Sequence, residues 1–316
     1  MAKQQITVIG GSGFIGRYVV QLLAKKGHRI RVGMRNPNQA MFLKPLGDVG
    51  QISLERVNVR VPESLAEVMR GADAAINLVG ILAPSGKQTF DGVQAEGAEN
   101  VAEAAKSAGV ERFVQMSAIG ADPNSPAAYG RTKAEGEAAV RARYPDATIL
   151  RPSIVVGDED EFFNRFASMA RMAPALPLIA GDTKFQPVCV EDVAEAAVLA
   201  LEGNVPNPGE SPFFLGGPKV YTFEQLMRLM LDEIMISRPL LPIPMRIAKI
   251  MAFFMQYAPG KPLTPDQLKM LGEDNIVPEG ARGFAELGIA PRVIETSIED
   301  YLVRYRPKGR FSKRVA

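Results

Sequence analysis

Tyr129 and Lys133 stand four residues apart in Tyr-Gly-Arg-Thr-Lys, a spacing that puts both side chains on one face of a helix. An ammonium beside a phenol favours the phenolate and is expected to lower the tyrosine pKa from about 10 toward neutrality. Such a phenol can serve as general acid or base toward a carbonyl, and the lysine can also hydrogen-bond a ribose. Ser117 precedes Tyr129 by twelve residues, at the end of an apolar run, and could bond the same carbonyl oxygen. Taken alone, Tyr-x-x-x-Lys arises on many helices by chance. Its meaning depends on what comes before it.

What comes before it is Ile-Thr-Val-Ile-Gly-Gly-Ser-Gly-Phe-Ile-Gly at Ile6–Gly16. Ile6–Ile9 reads as a buried parallel strand. Arg17–Lys26 has helical spacing, with Tyr18, Val19, Leu22 and Leu23 on one side. Gly10, Gly13 and Gly16 lie between them, and Gly11-x-Gly13-x-x-Gly16 fits the dinucleotide fingerprint. A strand, a glycine turn and a helix N-terminus form an anion site, where free N–H groups and the helix dipole face a phosphate. The competing reading is an ordinary tight turn, which glycine also marks. Arg35 follows the second strand, nineteen residues past Gly16. An acid there would bind a ribose 2′-hydroxyl. An arginine can pair with a 2′-phosphate, which favours NADP over NAD, unless Arg35 is only a solvated loop residue.

The elements that must position these groups alternate. Ile30–Met34, Ile52–Val59, Ala74–Gly80, Arg112–Met116 and Thr148–Val155 read as further strands, with Pro62–Met69 and Val93–Ser107 as helices. The pattern predicts an α/β chain with a doubly wound parallel Rossmann sheet. Gly10, Arg35, Gly80 and Ser117 all follow strand ends, so they are expected along one edge. Phe162–Met172 and Asp192–Leu201 read as helices and Phe213–Leu215 as a short strand. Thr222/Gln225 and Thr264/Gln267 have capping-box spacing. Pro259–Pro265 and Glu279–Gly283 read as loops. The expected division is a dinucleotide domain of residues 1–157 and 188–217. A smaller, mostly helical C-terminal domain follows in 158–187 and 218–303, with a basic tail over 304–316.

Composition narrows the class. The 316 residues carry a net charge of +2, so no global field favours nucleic acid. A single cysteine, Cys189, excludes an internal disulfide and suits a reducing compartment. A single histidine, His28, argues against histidine-based metal sites and a Ser-His-Asp triad, and it is read as structural. No apolar run reaches the roughly 18 residues of a membrane span. The start, Met1-Ala2-Lys3-Gln4-Gln5, runs directly into the first strand, and the expectation is a cytoplasmic bacterial protein without a leader.

The glycine turn, Ser117 and Tyr129-x-x-x-Lys133 together resemble the short-chain dehydrogenase/reductase superfamily. Arg151-Pro152 with Gly157, and Val190-Glu191-Asp192-Val193-Ala194, resemble its extended and atypical members, which include nucleotide-sugar epimerases and dehydratases. A narrower resemblance covers nearly the whole chain. Gly16-Arg17-Tyr18-Val19-Val20, Pro45-Leu46-Gly47-Asp48-Val49-Gly50-Gln51, Asn77-Leu78-Val79-Gly80, Phe166-Ala167-Ser168-Met169 and Gln186-Pro187-Val188 are similar to the dehydrogenase-like accessory subunit of respiratory complex I. That resemblance implies NADP(H), held as NADPH in preference to NAD(H) and not turned over. It also implies docking to other complex I subunits at the junction of peripheral arm and membrane, on the cytoplasmic face of the bacterial inner membrane. It places Arg35 on the 2′-phosphate and Gly10, Gly13, Phe14 and Ile15 around the pyrophosphate. Ser12, Gly16, Asn58, Val59, Val79, Gly80, Tyr129 and Lys133 complete the expected cofactor contacts. Asn58 departs from the aspartate usual near the adenine, and the segment from Ser117 to Tyr129 is short for a sugar-nucleotide enzyme. Ser117, Tyr129 and Lys133 are either catalytic, in a free-standing reductase or epimerase, or only grip the nicotinamide ribose.

The C-terminal third adds a docking candidate. Met245–Tyr257 has only Arg246, Lys249 and Gln256 as polar residues. It is too short to cross a bilayer at about 1.5 Å per residue. It is read either as a helix lying on a partner or at the membrane interface, or as a core helix of the small domain. From Arg304 onward Arg304, Arg306, Lys308, Arg310, Lys313 and Arg314 are offset by no acid. They are read as a contact for anionic lipid or an acidic subunit surface, or as a solvated tail.

Overall fold

Short β-branched and apolar runs form strands that all point the same way. In the computed structural model, which describes residues 3–258 and 260–311, these are β1 (Gln5–Ile9), β2 (Arg29–Met34), β3 (Ile52–Arg56), β4 (Ala74–Asn77), β5 (Arg112–Met116) and β6 (Thr148–Pro152). With Phe213–Leu215 they make a seven-stranded parallel sheet in the order Phe213–Leu215, β6, β5, β4, β1, β2, β3. The order reverses between β1 and β4, and a crevice opens at the carboxyl ends of strands where a doubly wound sheet reverses.

Side-chain alternation decides what each face meets. Ile9 belongs to a core cluster with Val101, Ala102 and Ala105 of α3 (Glu96–Ser107), while Thr7 Oγ donates to the Val68 carbonyl at 2.8 Å. On the opposite face Val8 and Val32 converge with Val20 of α1 (Phe14–Lys25) around Gly11, where a Cβ would sit 2.5 Å from Val32. The expected Pro62–Met69 helix divides into a 3₁₀ turn, Pro62–Ser64, and one α turn, α2 (Ala66–Met69). The strands at Ile52 and Ala74 stop earlier than expected, at Arg56 and Asn77, and free the residues that follow for the crevice. A π-turn at Asp91–Ala95 precedes α3, and Tyr129 and Lys133 both lie on α4 (Ala128–Arg143).

By internal contacts the chain forms two units. One comprises Met1–Pro152, Glu191–Leu215 and Glu279–Ala290, and the other Ser153–Val190, Gly216–Pro278 and Pro291–Ala316. The second unit has its own core, in which Phe163, Phe185, Phe223, Met230 and Ile298 pack together. Both capping boxes form there, at Thr222/Gln225 and Thr264/Gln267. The helix Met245–Met255 buries only Ala248 and Ala252, against Ile179 and Leu268. Ile247, Ile250, Phe253, Phe254 and Tyr257 remain at least half exposed, so it is not a core helix.

The basic segment is not free of acids either. Arg304 pairs with Asp158, and Arg306 pairs with Glu233 at 3.3 Å, because the helix Ile294–Leu302 returns the chain to this core. Lys313, Arg314 and the Arg310 side chain lie outside the described residues, as do Met1, Ala2 and Pro259.

The tightest crossing in the first unit is α4 on the π-turn, where a Cβ at Gly136 would lie 2.1 Å from the Gln94 carbonyl oxygen. Backbone cannot yield there, so Gly136→Ala is expected to destabilise the protein by about 1–3 kcal/mol. A urea denaturation curve with a midpoint below that of the parent checks it.

Candidate functional site

Four consecutive strand ends of the first unit contribute to one cleft of about 220 Å³. Gly10, Ser12 and Gly13 come from the end of β1, Arg35 from β2, Asn58, Val59 and Arg60 from β3, and Val79 and Gly80 from β4. The lining contains two arginines and no carboxylate. The guanidinium of Arg35 forms no hydrogen bond or ion pair within the described residues. It also borders an adjoining hollow with Ser12, Asn36, Gln39 and Phe42.

The three glycines do different things. Gly10 turns the chain with φ +83°, a left-handed conformation, and receives the Gly13 amide on its carbonyl at 3.0 Å. Gly13 caps α1 without a side chain, and the first turn carries no acid, so the amides of Phe14 and Ile15 face outward uncapped by any side chain. Gly16, expected as a ligand contact, also has a packing role. A Cβ there would strike Gly11 Cα at 2.5 Å and Gly10 O at 2.6 Å, so it seats the helix on the turn. This cradle fits a diphosphate: open amides, a dipole end, no competing anion and nearby cations.

The other side of the site is a buried polar chain. Val79 N–H donates to Asn77 Oδ1 at 3.1 Å, Asn77 Nδ2 to Gln115 Oε1 at 3.0 Å, and Gln115 Nε2 to the Met116 carbonyl at 3.0 Å. Lys133 Nζ donates to that same carbonyl at 3.3 Å. The ammonium also lies 3.3 Å from where a Cβ of Gly80 would stand, so a side chain there would crowd it. Ser117 follows Met116 and is buried, with its Oγ lacking any partner among the described residues. A buried hydroxyl without a partner marks a place for a ligand atom. Lys133 and Tyr129 do share a face, with Nζ 6.0 Å from the ring centre.

The expected acidic tyrosine is absent. Burial pushes Tyr129 up to about 12. Burial also pushes Lys133 down, from 10.5 to about 8, against the pull of Glu137 one turn on. Desolvation outweighs the mutual attraction of ammonium and phenolate at this separation. At neutral pH Tyr129 is therefore a phenol that can donate, and Lys133 is still mostly an ammonium.

Sequence reading missed Arg60, Gln88 and the hollow beside Phe42. Arg60 directly follows the strand as read through Val59, the same signal that marked Gly80, but the sequence reading gave it no role. Gln88 lines the cleft from a two-residue hairpin turn around Gly86 and Lys87.

Comparison with known proteins agrees with this geometry. The family model described as NAD(P)H-binding matches residues 10–202. The chain is 36% identical to the Arabidopsis thaliana protein named NADH dehydrogenase (ubiquinone) 1 alpha subcomplex subunit 9, mitochondrial, over 96% of this chain and 78% of that protein. It is 33% identical to the Neurospora crassa NADH-ubiquinone oxidoreductase 40 kDa subunit, over 95% and 79%. Among solved structures, a Citrobacter triphenylmethane reductase superposes with a TM-score of 0.73 at 19% identity, over 94% of this chain and 99% of that one, a likeness of fold.

The displaced pKa of Lys133 has a thermodynamic signature. Its folded value lies below its unfolded value, so between about pH 8 and 10.5 the unfolded chain binds the extra proton and stability climbs with pH. Tyr129 acts oppositely above pH 10, where the folded state retains the proton. In nucleotide-free protein, Lys133→Met is expected to raise Tm by a few degrees at pH 7 and to flatten the climb between pH 8 and 10.5. Thermal melts across pH check both.

Proposed function

The chain belongs to the NAD(P)H-binding family that includes the mitochondrial alpha subcomplex subunit 9 and 40 kDa subunits. From that premise we propose that it is an accessory subunit of a proton-pumping NADH:quinone oxidoreductase, holding NADP(H) as a structural element without turnover. What carries this reading is the extent of the likeness: it runs through both units and does not stop at the nucleotide-binding residues.

The site residues support it in detail. The amides of Phe14 and Ile15 would take the diphosphate with Gly10 and Gly13 beside it, Arg35 would take the 2′-phosphate, and Asn58 and Val59 the adenosine side. Val79, Gly80, Lys133 and Tyr129 would hold the nicotinamide ribose, and Ser117 Oγ would gain the partner it lacks. Nicotinamide, when bound, supplies a hydride donor or acceptor. Tyr129, protonated up to about pH 12, serves better to hold a ligand than to remove a proton. Binding only the folded chain, the nucleotide would stabilise it by mass action.

The same reading places the protein peripherally, at the membrane end of the complex on the cytoplasmic face. The helix Met245–Met255 offers a flank of Ile247, Ile250, Phe253 and Phe254, with Arg246 and Lys249 exposed beside it. An apolar face bordered by cations suits a neighbouring subunit lying among anionic lipid headgroups. No helix among the described residues is long and apolar enough to cross a membrane.

One observation favours a second reading. Ser117, Tyr129 and Lys133 all survive, with the serine hydroxyl unpaired, as a free-standing NADP-dependent short-chain reductase or nucleotide-sugar epimerase or dehydratase would require.

Detergent-solubilised membranes should yield this chain in one particle with flavin and iron–sulfur proteins. Recovery only as a free soluble species overturns the subunit reading. Under the enzyme reading Tyr129→Phe would abolish a turnover while leaving nucleotide bound. Arg35→Asp is expected to weaken NADP binding at least about tenfold more than NAD binding, measured by calorimetry.

A further inference from the structure

The loop after β4, residues 81–90, borders the cleft through Ile81 and Gln88. Its start is pinned by Gln94 Nε2, which donates to the Ile81 carbonyl at 3.1 Å. Its end is Phe90, whose ring meets that of Tyr129 edge-on at 6.1 Å. Between them Ser85 and Gln88 exchange two backbone hydrogen bonds, at 2.9 and 3.0 Å, around Gly86 and Lys87. Gly86 holds the hairpin turn with φ +56°. Gln88 and Arg60 both line the cleft.

Both pins lie on the α3–α4 side. The tip is tied by a residue that follows β3. Arg60, at the end of β3, donates from Nη1 to the Lys87 carbonyl at 2.7 Å. Its own backbone N–H is fixed by Asn58 Oδ1 at 3.2 Å. Its stem passes Gly92, with Cδ 3.7 Å from where a Cβ would stand. We propose that Arg60 is a latch, which closes the hairpin 85–88 over the cleft and sets how slowly a bound dinucleotide leaves. This rests on the nucleotide reading above and adds a retention device to it.

Retention by a latch differs from attraction by a charge. A guanidinium that grips a phosphate raises the association rate and acts independently of the hairpin. A latch acts on dissociation, because the nucleotide leaves only after the Arg60–Lys87 bond opens. Breaking either partner therefore has the same effect, and breaking both adds nothing. Gly86 gives a second handle on the same bond. Nothing lies within 4 Å of a Cβ built there, so Gly86→Val strains only the turn that presents the Lys87 carbonyl.

The test loads the full chain with NADPH and follows its fluorescence on mixing with excess NADP. Arg60→Ala and Gly86→Val should each raise the dissociation rate about fivefold, the scale of one charge-assisted bond at a half-exposed position, with association within about twofold of the parent. The double variant should match either single one. An unchanged dissociation rate in Arg60→Ala, or a double variant whose effect is the product of the two, overturns the latch and leaves nucleotide binding standing. A parent chain that takes up no nucleotide overturns both.

Discussion

Backbone pressed against backbone at the start of α1 is the contact on which the site depends. Gly16 lies so close to Gly10 and Gly11 that one methyl group would meet main-chain atoms at 2.5–2.6 Å. The contact seats the first helical turn directly on the carboxyl end of β1 and aims its amides along the crevice. With Gly13 as cap and no acid in the first turn, the donors have no internal competitor. A larger residue at Gly16 would move the helix, and the cradle would lose its shape before it lost any side chain.

The rest of the site follows from the reversal of strand order beside that contact. Because β1 has β2 and β3 on one side and β4 on the other, cations and small residues from four strand ends converge without any long loop. The Asn77–Gln115–Met116–Lys133 chain then fixes the far side through buried amides. A buried polar chain that is fully satisfied makes a rigid wall, and each member dictates the next. Ser117 lies at its end with no partner for its hydroxyl among the described residues, at the point where the proposed ligand would complete the wall.

Much of this was legible from residue type and spacing. The glycine turn, the strand ends at Gly10, Arg35 and Gly80, and the pairing of Tyr129 with Lys133 on one helix face were all readable, because backbone constraints and helical period leave direct marks in sequence. What was not readable depended on burial. The Tyr129 pKa was expected to fall because Lys133 is near, but neighbours seen in sequence say nothing about water lost in the fold. Arg60 was overlooked although it directly follows the strand as read, because its partner, the Lys87 carbonyl, is distant in sequence, and Gln88 was hidden by a loop with only one glycine to mark its turn. Arg304 and Arg306 looked uncompensated because Asp158 and Glu233 are distant in sequence and meet them only when the C-terminal helix folds back.

The first unit is assembled from three stretches, and the last, Glu279–Ala290, is far from the glycine turn in sequence. Arg282 accepts the Phe214 amide on its carbonyl at 2.7 Å and lays its guanidinium over the Phe213 ring at 4.3 Å, so this late stretch covers the sheet's final edge strand. A ribosome makes the cradle long before this buttress. The nucleotide-binding half thus cannot complete itself early during synthesis, and a chain cut before residue 279 would leave its edge strand Phe213–Leu215 without this cover.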